Sequence, residues 1–197
     1  MAYNPKIHHR RSVRLKGYDY SQAGLYFITI CCQDRQHRFG EIINGAMILN
    51  EYGKIAHDEW EKLTDRFANV ALDVFQIMPN HMHGILVLVG ATLAVAQNTV
   101  AQNTVAQNNN FSNGIIDKEW AGASPARTGI SDIVGAYKSL VFKSCLDIYK
   151  SNDELMGKLW QRNYYEHIIR NEQSYQRISE YIINNPAKWS EDKFYKK

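Results

Sequence analysis

The chain has 197 residues, of which 45 % are hydrophobic and 12 % aromatic, and its formal net charge is +3. These values exclude a disordered chain, because the apolar content is sufficient to bury a core, and the length suits a single domain. No apolar run approaches the roughly 20 residues of a membrane span, and the basic N-terminus lacks the apolar segment of a secretory signal.

The positive charge is concentrated at the N-terminus, where no acidic residue precedes Asp19. The basic residues of this arm are Lys6, Arg10, Arg11, Arg14 and Lys16. Such an arm suits contact with a phosphate backbone, but a solvated, frayed terminus fits the pattern equally well. We therefore take four of these residues as candidate DNA contacts: Arg10, Arg11, Arg14 and Lys16.

Next along the chain come a strand, a hairpin and a helix. The β-branched and aromatic run 25–32 predicts a strand. The segment 39–50 predicts a hairpin that turns at Asn44 and Gly45. Apolar residues recur at helical spacing over 50–67, which predicts a helix.

Two further strands are predicted on either side of a tight turn. The run 71–79 is typical of a strand and ends at Pro79 and Asn80. The apolar run 81–89 follows at once and is predicted to pair with it. A short connection of this kind produces antiparallel neighbours.

The segment 90–128 does not fit the pattern of strands and helices. It contains the five-residue repeat VAQNT and is rich in Gln, Asn and Thr, which offer little apolar surface to bury. We predict a flexible loop at about 90–128 that interrupts a single domain spanning 1–197.

The last third of the chain predicts two helices and one strand. Ser131 is a candidate cap for the first helix, and the segment 159–165 is typical of a short strand. The final helix is expected from about 172 to 185, where Pro186 stops it. Strands joined by hairpins, with helices between them, favour an α+β fold with an antiparallel sheet covered by helices.

His81 and His83 lie two residues apart at the start of a predicted strand. Because successive side chains of a strand alternate between faces, both imidazoles share one face and Met82 takes the other. Two imidazoles on one face are a pair of metal ligands if a third ligand joins them. The alternative is that they make ordinary hydrogen bonds at the end of a sheet.

The final helix carries two stripes of side chains at helical spacing. The buried stripe consists of Tyr175, Ile178 and Ile182. Beside it, Arg177, Tyr181 and Asn185 follow one another at i, i+4 steps. The amide oxygen of Asn185 is a candidate third metal ligand, and the Tyr181 hydroxyl would lie close to whatever the metal polarises. Arg177 is a candidate phosphate contact, although an ordinary surface arginine fits as well.

Three stretches resemble a known family: MPNHMHGI, LWQRNYYEHIIRNEQSY and YIINNPAKW. Together they are similar to the single-tyrosine HUH transposases, and most similar to the branch of REP-associated tyrosine transposases (RAYT). The opening segment 10–40 also resembles the sequences of this family. The resemblance covers nearly the whole chain apart from 90–128. An HxH pair is weak by itself, but its combination with a YIxxNP motif on a terminal helix is specific.

The resemblance implies a ferredoxin-like or RRM-like antiparallel sheet with helices packed on it, the HUH endonuclease fold. It implies that His81 and His83 bind a divalent metal, Mg²⁺ or Mn²⁺, and that Tyr181 is the catalytic nucleophile. Asn185 stands where relatives often have a glutamine or asparagine as the third ligand. The implied reaction is cleavage and rejoining of single-stranded DNA beside REP-like hairpins, through a 5′-phosphotyrosine.

Two other functions remain open at this stage. A metal nuclease that uses water would keep its cleavage activity without Tyr181, and a hairpin-binding protein without chemistry would bind DNA but never cut it. The oligomeric state, monomer or homodimer, is also open. The three cysteines form no CxxC pair, which predicts reduced thiols and a cytoplasmic location.

Overall fold

The structure is a computed structural model that describes residues 17–89 and 128–195. Two predicted features lie outside these residues. The first is the basic arm that carries Arg10, Arg11, Arg14 and Lys16. The second is the predicted loop, of which only residue 128 is described.

The described residues form six strands and four α-helices, each numbered in chain order. The strands are β1 (Gly24–Cys31), β2 (Gly40–Ile43), β3 (Ala46–Leu49), β4 (Val70–Met78), β5 (His81–Leu88) and β6 (Tyr165–Ile169). The helices are α1 (Glu51–Glu61), α2 (Leu63–Arg66), α3 (Ile130–Ser151) and α4 (Glu172–Asn184). None of these helices is long and apolar enough to cross a membrane.

Four strands form one sheet in the order β4-β5-β1-β6, and every neighbouring pair is antiparallel. Strands β2 and β3 form a separate hairpin. Its turn has positive φ at Asn44 (52°) and Gly45 (76°), as a tight hairpin turn requires. The predicted α+β fold with an antiparallel sheet and packed helices is confirmed.

The two faces of the sheet bury different sets of residues. Even-numbered side chains of β1 and β5 join the main core with α1 and α3, as Ile28 and Met82 do. Odd-numbered side chains, such as Phe27 and Ile85, pack with α4 in a smaller core. The alternation of the strand therefore directs His81 and His83 towards α4 rather than into the main core.

Gly84 allows Trp60 to pack against the sheet directly after the histidine pair. A Cβ at Gly84 would lie 2.6 Å from Cζ2 of Trp60 and 3.1 Å from the Cβ of Phe75. We expect Gly84→Ala to lower the free energy of unfolding by about 1–3 kcal/mol through overpacking, measured by urea denaturation. Gly135→Ala is the control, because Gly135 is exposed in α3 with no atom within 4 Å of the added Cβ. There the change should be neutral or stabilising. Equal effects at both sites would contradict this explanation.

The structure corrects three predicted boundaries. The helix expected over 50–67 is divided at Lys62, where ψ is −3°, and the turn there leads into the buried Leu63. Helix α3 begins at Ile130 with Gly129 as its cap, so Ser131 already lies within its first turn. The Asp132 carboxylate accepts a hydrogen bond from the Gly129 N–H at 3.1 Å and stabilises that start.

The third correction concerns the strand predicted at 159–165, since β6 begins only at Tyr165. Upstream of it, Trp160 makes an isolated bridge with Cys32. The ammonium group of Lys138 donates to the carbonyl oxygens of Gln161 and Arg162, at 2.8 and 3.0 Å. These carbonyls are therefore satisfied by a side chain rather than by a neighbouring strand.

Candidate metal centre and nucleophile

The two histidines of β5 are fully buried and lie against each other. Both have 0 % exposure, and their ring centroids are 4.5 Å apart with the rings nearly perpendicular. The antiparallel register places His83 opposite Thr29 of β1 and His81 opposite Cys31. Neutral imidazoles are expected here, because burial lowers the pKa of both side chains.

Asn80 fixes which nitrogen of His81 carries the proton. The amide nitrogen of Asn80 donates to the carbonyl oxygens of Arg35 and Phe194, so its oxygen is the atom that faces His81. That oxygen lies 2.8 Å from Nδ1 of His81 and can only accept. Nδ1 is therefore the protonated nitrogen, and Nε2 keeps its lone pair. Nε2 is buried without a hydrogen-bond partner among the described residues.

His83 lies between Thr29 and Tyr181. Its Nδ1 is 2.8 Å from the Thr29 hydroxyl, and its Nε2 is 3.1 Å from the Tyr181 hydroxyl. A threonine hydroxyl both donates and accepts, so it supports either tautomer of His83. When Nδ1 donates to Thr29, Nε2 is free to bind a metal next to the tyrosine oxygen.

Helix α4 brings Tyr181 and Asn185 to the histidines. The Asn171 side chain caps its N-terminus by accepting from the Ser174 N–H at 2.8 Å. The buried Ile178 and Ile182 hold the helix on the sheet. One residue before Ile182, the Tyr181 side chain is 38 % exposed and packs 5.1 Å from the His83 ring.

Asn185 ends the helix and is only 2 % exposed. Its amide nitrogen donates to Asp192 at 2.7 Å, whereas its amide oxygen has no hydrogen-bond partner in the described part of the chain. A buried amide oxygen without a partner costs free energy unless something else binds it. The predicted third ligand therefore has a free oxygen in the site.

Asp192 is a site residue that sequence reasoning missed. Its Oδ2 accepts from the Tyr181 hydroxyl at 2.8 Å and from the Asn185 amide at 2.7 Å. Ligand atoms of His81, His83 and Asp192 all lie within 4.8 Å of one another. No periodicity or motif marks Asp192, because it lies beyond Pro186 in a segment without regular helix or strand spacing. Thr29 and Asn80 were also missed, because their contacts with the histidine rings depend on the pairing of β1 with β5 and on the geometry of the turn before β5.

The surroundings of Tyr181 hold its hydroxyl in the protonated form. Burial raises the pKa of Tyr181 above its ordinary value of 10, and the hydrogen bond to the Asp192 carboxylate raises it further. A phenol in this setting needs nearby positive charge before it becomes a strong nucleophile. A divalent ion beside His83 would supply that charge.

The C-terminal segment covers the histidine pair on one side. The Phe194 ring lies 4.6 Å from the His81 ring, and the Trp189 ring lies 5.9 Å from it. An Arg35 side-chain N–H donates to the Lys193 carbonyl at 2.9 Å and ties the segment to the body of the protein. These aromatic rings limit the contact of water with the site.

Acid is expected to destabilise the metal-free protein because of these buried histidines. Burial lowers the pKa of His81 from 6.5 to about 3. Between these values the unfolded chain binds a proton that the folded chain excludes, so stability falls as the pH drops from 6.5 towards 3. His81 alone should cost about 2 kcal/mol at pH 5. Urea unfolding in EDTA at pH 7.5 and pH 5 measures the loss, and His81→Gln should reduce it. An equal loss in that variant would contradict the assignment.

The three residues predicted to form the second stripe of α4 line one groove. Arg177, Tyr181 and Asn185 all line a cavity of about 310 Å³ at the surface of this helix. Arg177 is exposed in this groove. Lys188, which the sequence did not single out, lines the same groove.

The residues at this site fit a divalent metal. Two buried acceptor atoms, Nε2 of His81 and Oδ1 of Asn185, have no other partner among the described residues. Together with His83 they offer two neutral imidazoles and one amide oxygen, a mixed nitrogen and oxygen donor set of the kind that binds divalent cations. The carboxylate of Asp192 is a further possible ligand.

The fold is similar to that of a known class of proteins. A solved REP-associated tyrosine transposase bound to a REP hairpin has a similar fold, with a TM-score of 0.54 and 17 % identity. The match covers 91 % of this chain and 76 % of that one. The chain therefore has the fold of the REP-associated tyrosine transposases, as the resemblance implied.

In sequence, the chain matches an uncharacterized protein of Haemophilus influenzae Rd. The two are 38 % identical over 193 residues, which is 98 % of this chain and 97 % of its relative. The chain belongs to the same family as that protein. No protein-family model matches it.

Proposed function

We propose that the protein is a DNA transposase that cuts and rejoins single-stranded DNA beside hairpins, with Tyr181 as the nucleophile. One observation carries the proposal. The Tyr181 hydroxyl lies 3.1 Å from Nε2 of His83, beside two buried acceptor atoms, Nε2 of His81 and Oδ1 of Asn185, that have no hydrogen-bond partner in the described part of the chain. A nucleophile beside a set of candidate metal ligands is the arrangement that metal-assisted phosphodiester cleavage needs.

His81, His83 and Asn185 would hold Mg²⁺ or Mn²⁺, which offsets the negative charge of the scissile phosphate and orients it. The Tyr181 oxygen attacks the phosphorus, the bond to the 3′ oxygen breaks, and the departing 3′ oxygen takes a proton from water, so that a 5′-phosphotyrosine and a 3′-OH result. Asp192 already accepts the hydrogen bond of the Tyr181 hydroxyl and is placed to take its proton. Arg177 contacts the DNA backbone from the same groove.

Rejoining reverses these steps with a different 3′-OH. The incoming 3′ oxygen attacks the phosphorus, and the bond to the tyrosine oxygen breaks. Because the phosphotyrosine conserves the energy of the cleaved bond, no nucleotide cofactor is required. The site thus supports both cleavage and strand transfer.

The partner proposed for this chain is single-stranded DNA that carries a hairpin. The solved protein of the same fold is bound to a REP hairpin, and we extend that class of partner to this chain. The N-terminal arm, with Arg10, Arg11, Arg14 and Lys16, would add backbone contacts. We place the protein in the cytoplasm, as a monomer or a homodimer.

The test is a search for a covalent protein–DNA adduct. The whole protein is incubated with a pool of single-stranded imperfect hairpins, flanked by randomised unpaired segments, with Mn²⁺, Mg²⁺ or EDTA. A 5′-phosphotyrosine predicts that 3′-labelled DNA stays attached to the protein in denaturing gels. The 5′-labelled fragment should be released with a free 3′-OH, and EDTA should prevent both.

Other outcomes would replace the proposal with one of its alternatives. Metal-dependent cleavage without an adduct would indicate a nuclease that uses water. Hairpin binding without cleavage in any divalent metal would indicate a binding protein. Attachment of the 5′-labelled fragment would mean that the opposite bond to phosphorus breaks.

A further inference from the structure

Tyr165 is an exposed aromatic residue next to the candidate catalytic site. It begins the edge strand β6 and is 42 % exposed, close to the exposure of Tyr181. The proposed chemistry does not use it. The adjacent Tyr164 packs against the main core instead, so the strand alternation directs only Tyr165 towards the site.

The sheet register ties Tyr165 to the histidine pair. Thr29 pairs with Tyr165 on one side and with His83 on the other, so the three residues lie in one row across β6, β1 and β5. Two strand spacings separate Tyr165 from His83, which is about 10 Å. A stacked strand of DNA advances roughly 3.4 Å per nucleotide, so this gap corresponds to about three nucleotides at most.

Tyr165 and Tyr181 flank the same aromatic ring. The Phe27 centroid is 6.4 Å from that of Tyr165 and 6.3 Å from that of Tyr181, and each tyrosine ring stands nearly perpendicular to Phe27. Phe27 itself is stacked on His83 at 5.3 Å. The buried Phe27 ring therefore connects His83 and both tyrosines through direct ring contacts, and the two exposed tyrosines lie on either side of it.

The charge beside Tyr165 suits a nucleic acid. The Lys193 ammonium group lies 5.7 Å from the Tyr165 ring centroid, in cation–π contact. His167 is exposed two residues further along the same face of β6. An exposed aromatic ring next to a flexible cation is how proteins bind single strands, with the ring taking a base and the cation a phosphate.

We infer that Tyr165 stacks an unpaired base of the single-stranded DNA, a few nucleotides from the phosphate at Tyr181. This inference rests on the proposed function, since it names a base-binding position in the same site. Lys193 moves from the ring to the phosphate that accompanies this base. Tyr165 is a positioning residue: it holds the strand in register with the nucleophile and takes no part in bond breaking.

The test compares two single strands of equal length and charge, in EDTA so that no cleavage occurs. One is an oligomer of about twelve thymidines, and the other carries abasic sites throughout, so only the first can stack. Wild-type protein should bind the thymidine strand roughly 5- to 100-fold more tightly. Tyr165→Ala should remove most of that difference, and Tyr165→Phe should keep it, because the ring stacks without its hydroxyl.

Tyr52→Ala is the matched control, because Tyr52 stacks on Tyr149 and packs against the core on the other side of the sheet. Its preference for thymidine should equal that of the wild type, with circular dichroism and thermal melting verifying that each variant folds. The inference is overturned if the wild type shows no preference, if Tyr165→Ala retains it, or if Tyr52→Ala loses it equally. These results are independent of the adduct assay. A protein that never forms an adduct can still prefer the thymidine strand, and a protein that forms the adduct can lack this preference.

Discussion

Replacing Tyr181 by phenylalanine is expected to abolish the covalent adduct while the protein still folds and binds DNA. The phenylalanine ring keeps the packing against His83 and Phe27, whose centroids lie 5.1 and 6.3 Å from the Tyr181 ring. Only the hydroxyl is lost, and with it the atom that attacks phosphorus. Loss of a nucleophile lowers the rate by a factor on the order of 10⁴ or more.

The measurement for Tyr181→Phe is the yield of labelled adduct in a denaturing gel, beside hairpin affinity in EDTA. Tyr175→Phe is the matched control, because it removes a hydroxyl from the half-buried tyrosine of the same helix. That variant should form adduct at close to the wild-type rate. If Tyr181→Phe retained the adduct, another tyrosine would be the nucleophile. If Tyr181→Phe retained cleavage without forming an adduct, water would be the nucleophile.

The second large effect concerns metal binding, measured by calorimetric titration of Mn²⁺ alone. His81→Ala and His83→Ala should each weaken Mn²⁺ binding by at least 100-fold, because each removes a proposed ligand, and even substitutions behind the ligands cost 10- to 100-fold. Both variants should also lose adduct formation. Thermal melting in EDTA separates loss of the metal from loss of the fold.

His57→Ala is the control for the metal titration. His57, Asp58 and Glu61 form a second group of candidate ligands on α1, but Asp58 and Glu61 are exposed. Helix α1 packs on the face of the sheet opposite to α4, so this group is not part of the candidate site. Loss of His57 should leave Mn²⁺ binding at the main site unchanged. If His57→Ala removed the binding and the two buried histidines did not, the proposed centre would be wrong.

Two further variants identify the third ligand. The amide oxygen of Asn185 has no partner among the described residues, whereas Oδ2 of Asp192 already accepts two hydrogen bonds. Asn185→Ala should therefore weaken Mn²⁺ binding by roughly tenfold or more, and Asp192→Asn by less. The opposite order would make Asp192 the ligand and leave Asn185 to orient it.

Local patterns in the sequence account for much of the fold and for the order of elements around the site. Alternation along 81–89 places His81 and His83 on one face, and helical spacing along 172–185 groups Tyr181 with Asn185. These patterns are short-range and follow from the geometry of strands and helices, so they can be read directly. The boundary errors at Lys62 and Tyr165 arose where tertiary contacts, rather than local spacing, decide where an element begins or ends.

The sequence by itself determined the histidine pair, the tyrosine on the final helix, and the antiparallel α+β architecture that relates them. Only the tertiary structure decided that Asp192 hydrogen-bonds Tyr181 and Asn185, that Asn80 selects the His81 tautomer, and that Tyr165 contacts the same Phe27 ring as Tyr181. The reason is physical. These contacts join residues from different elements, through strand pairing and an irregular C-terminal segment, and no period along the chain encodes which atoms meet across such distances.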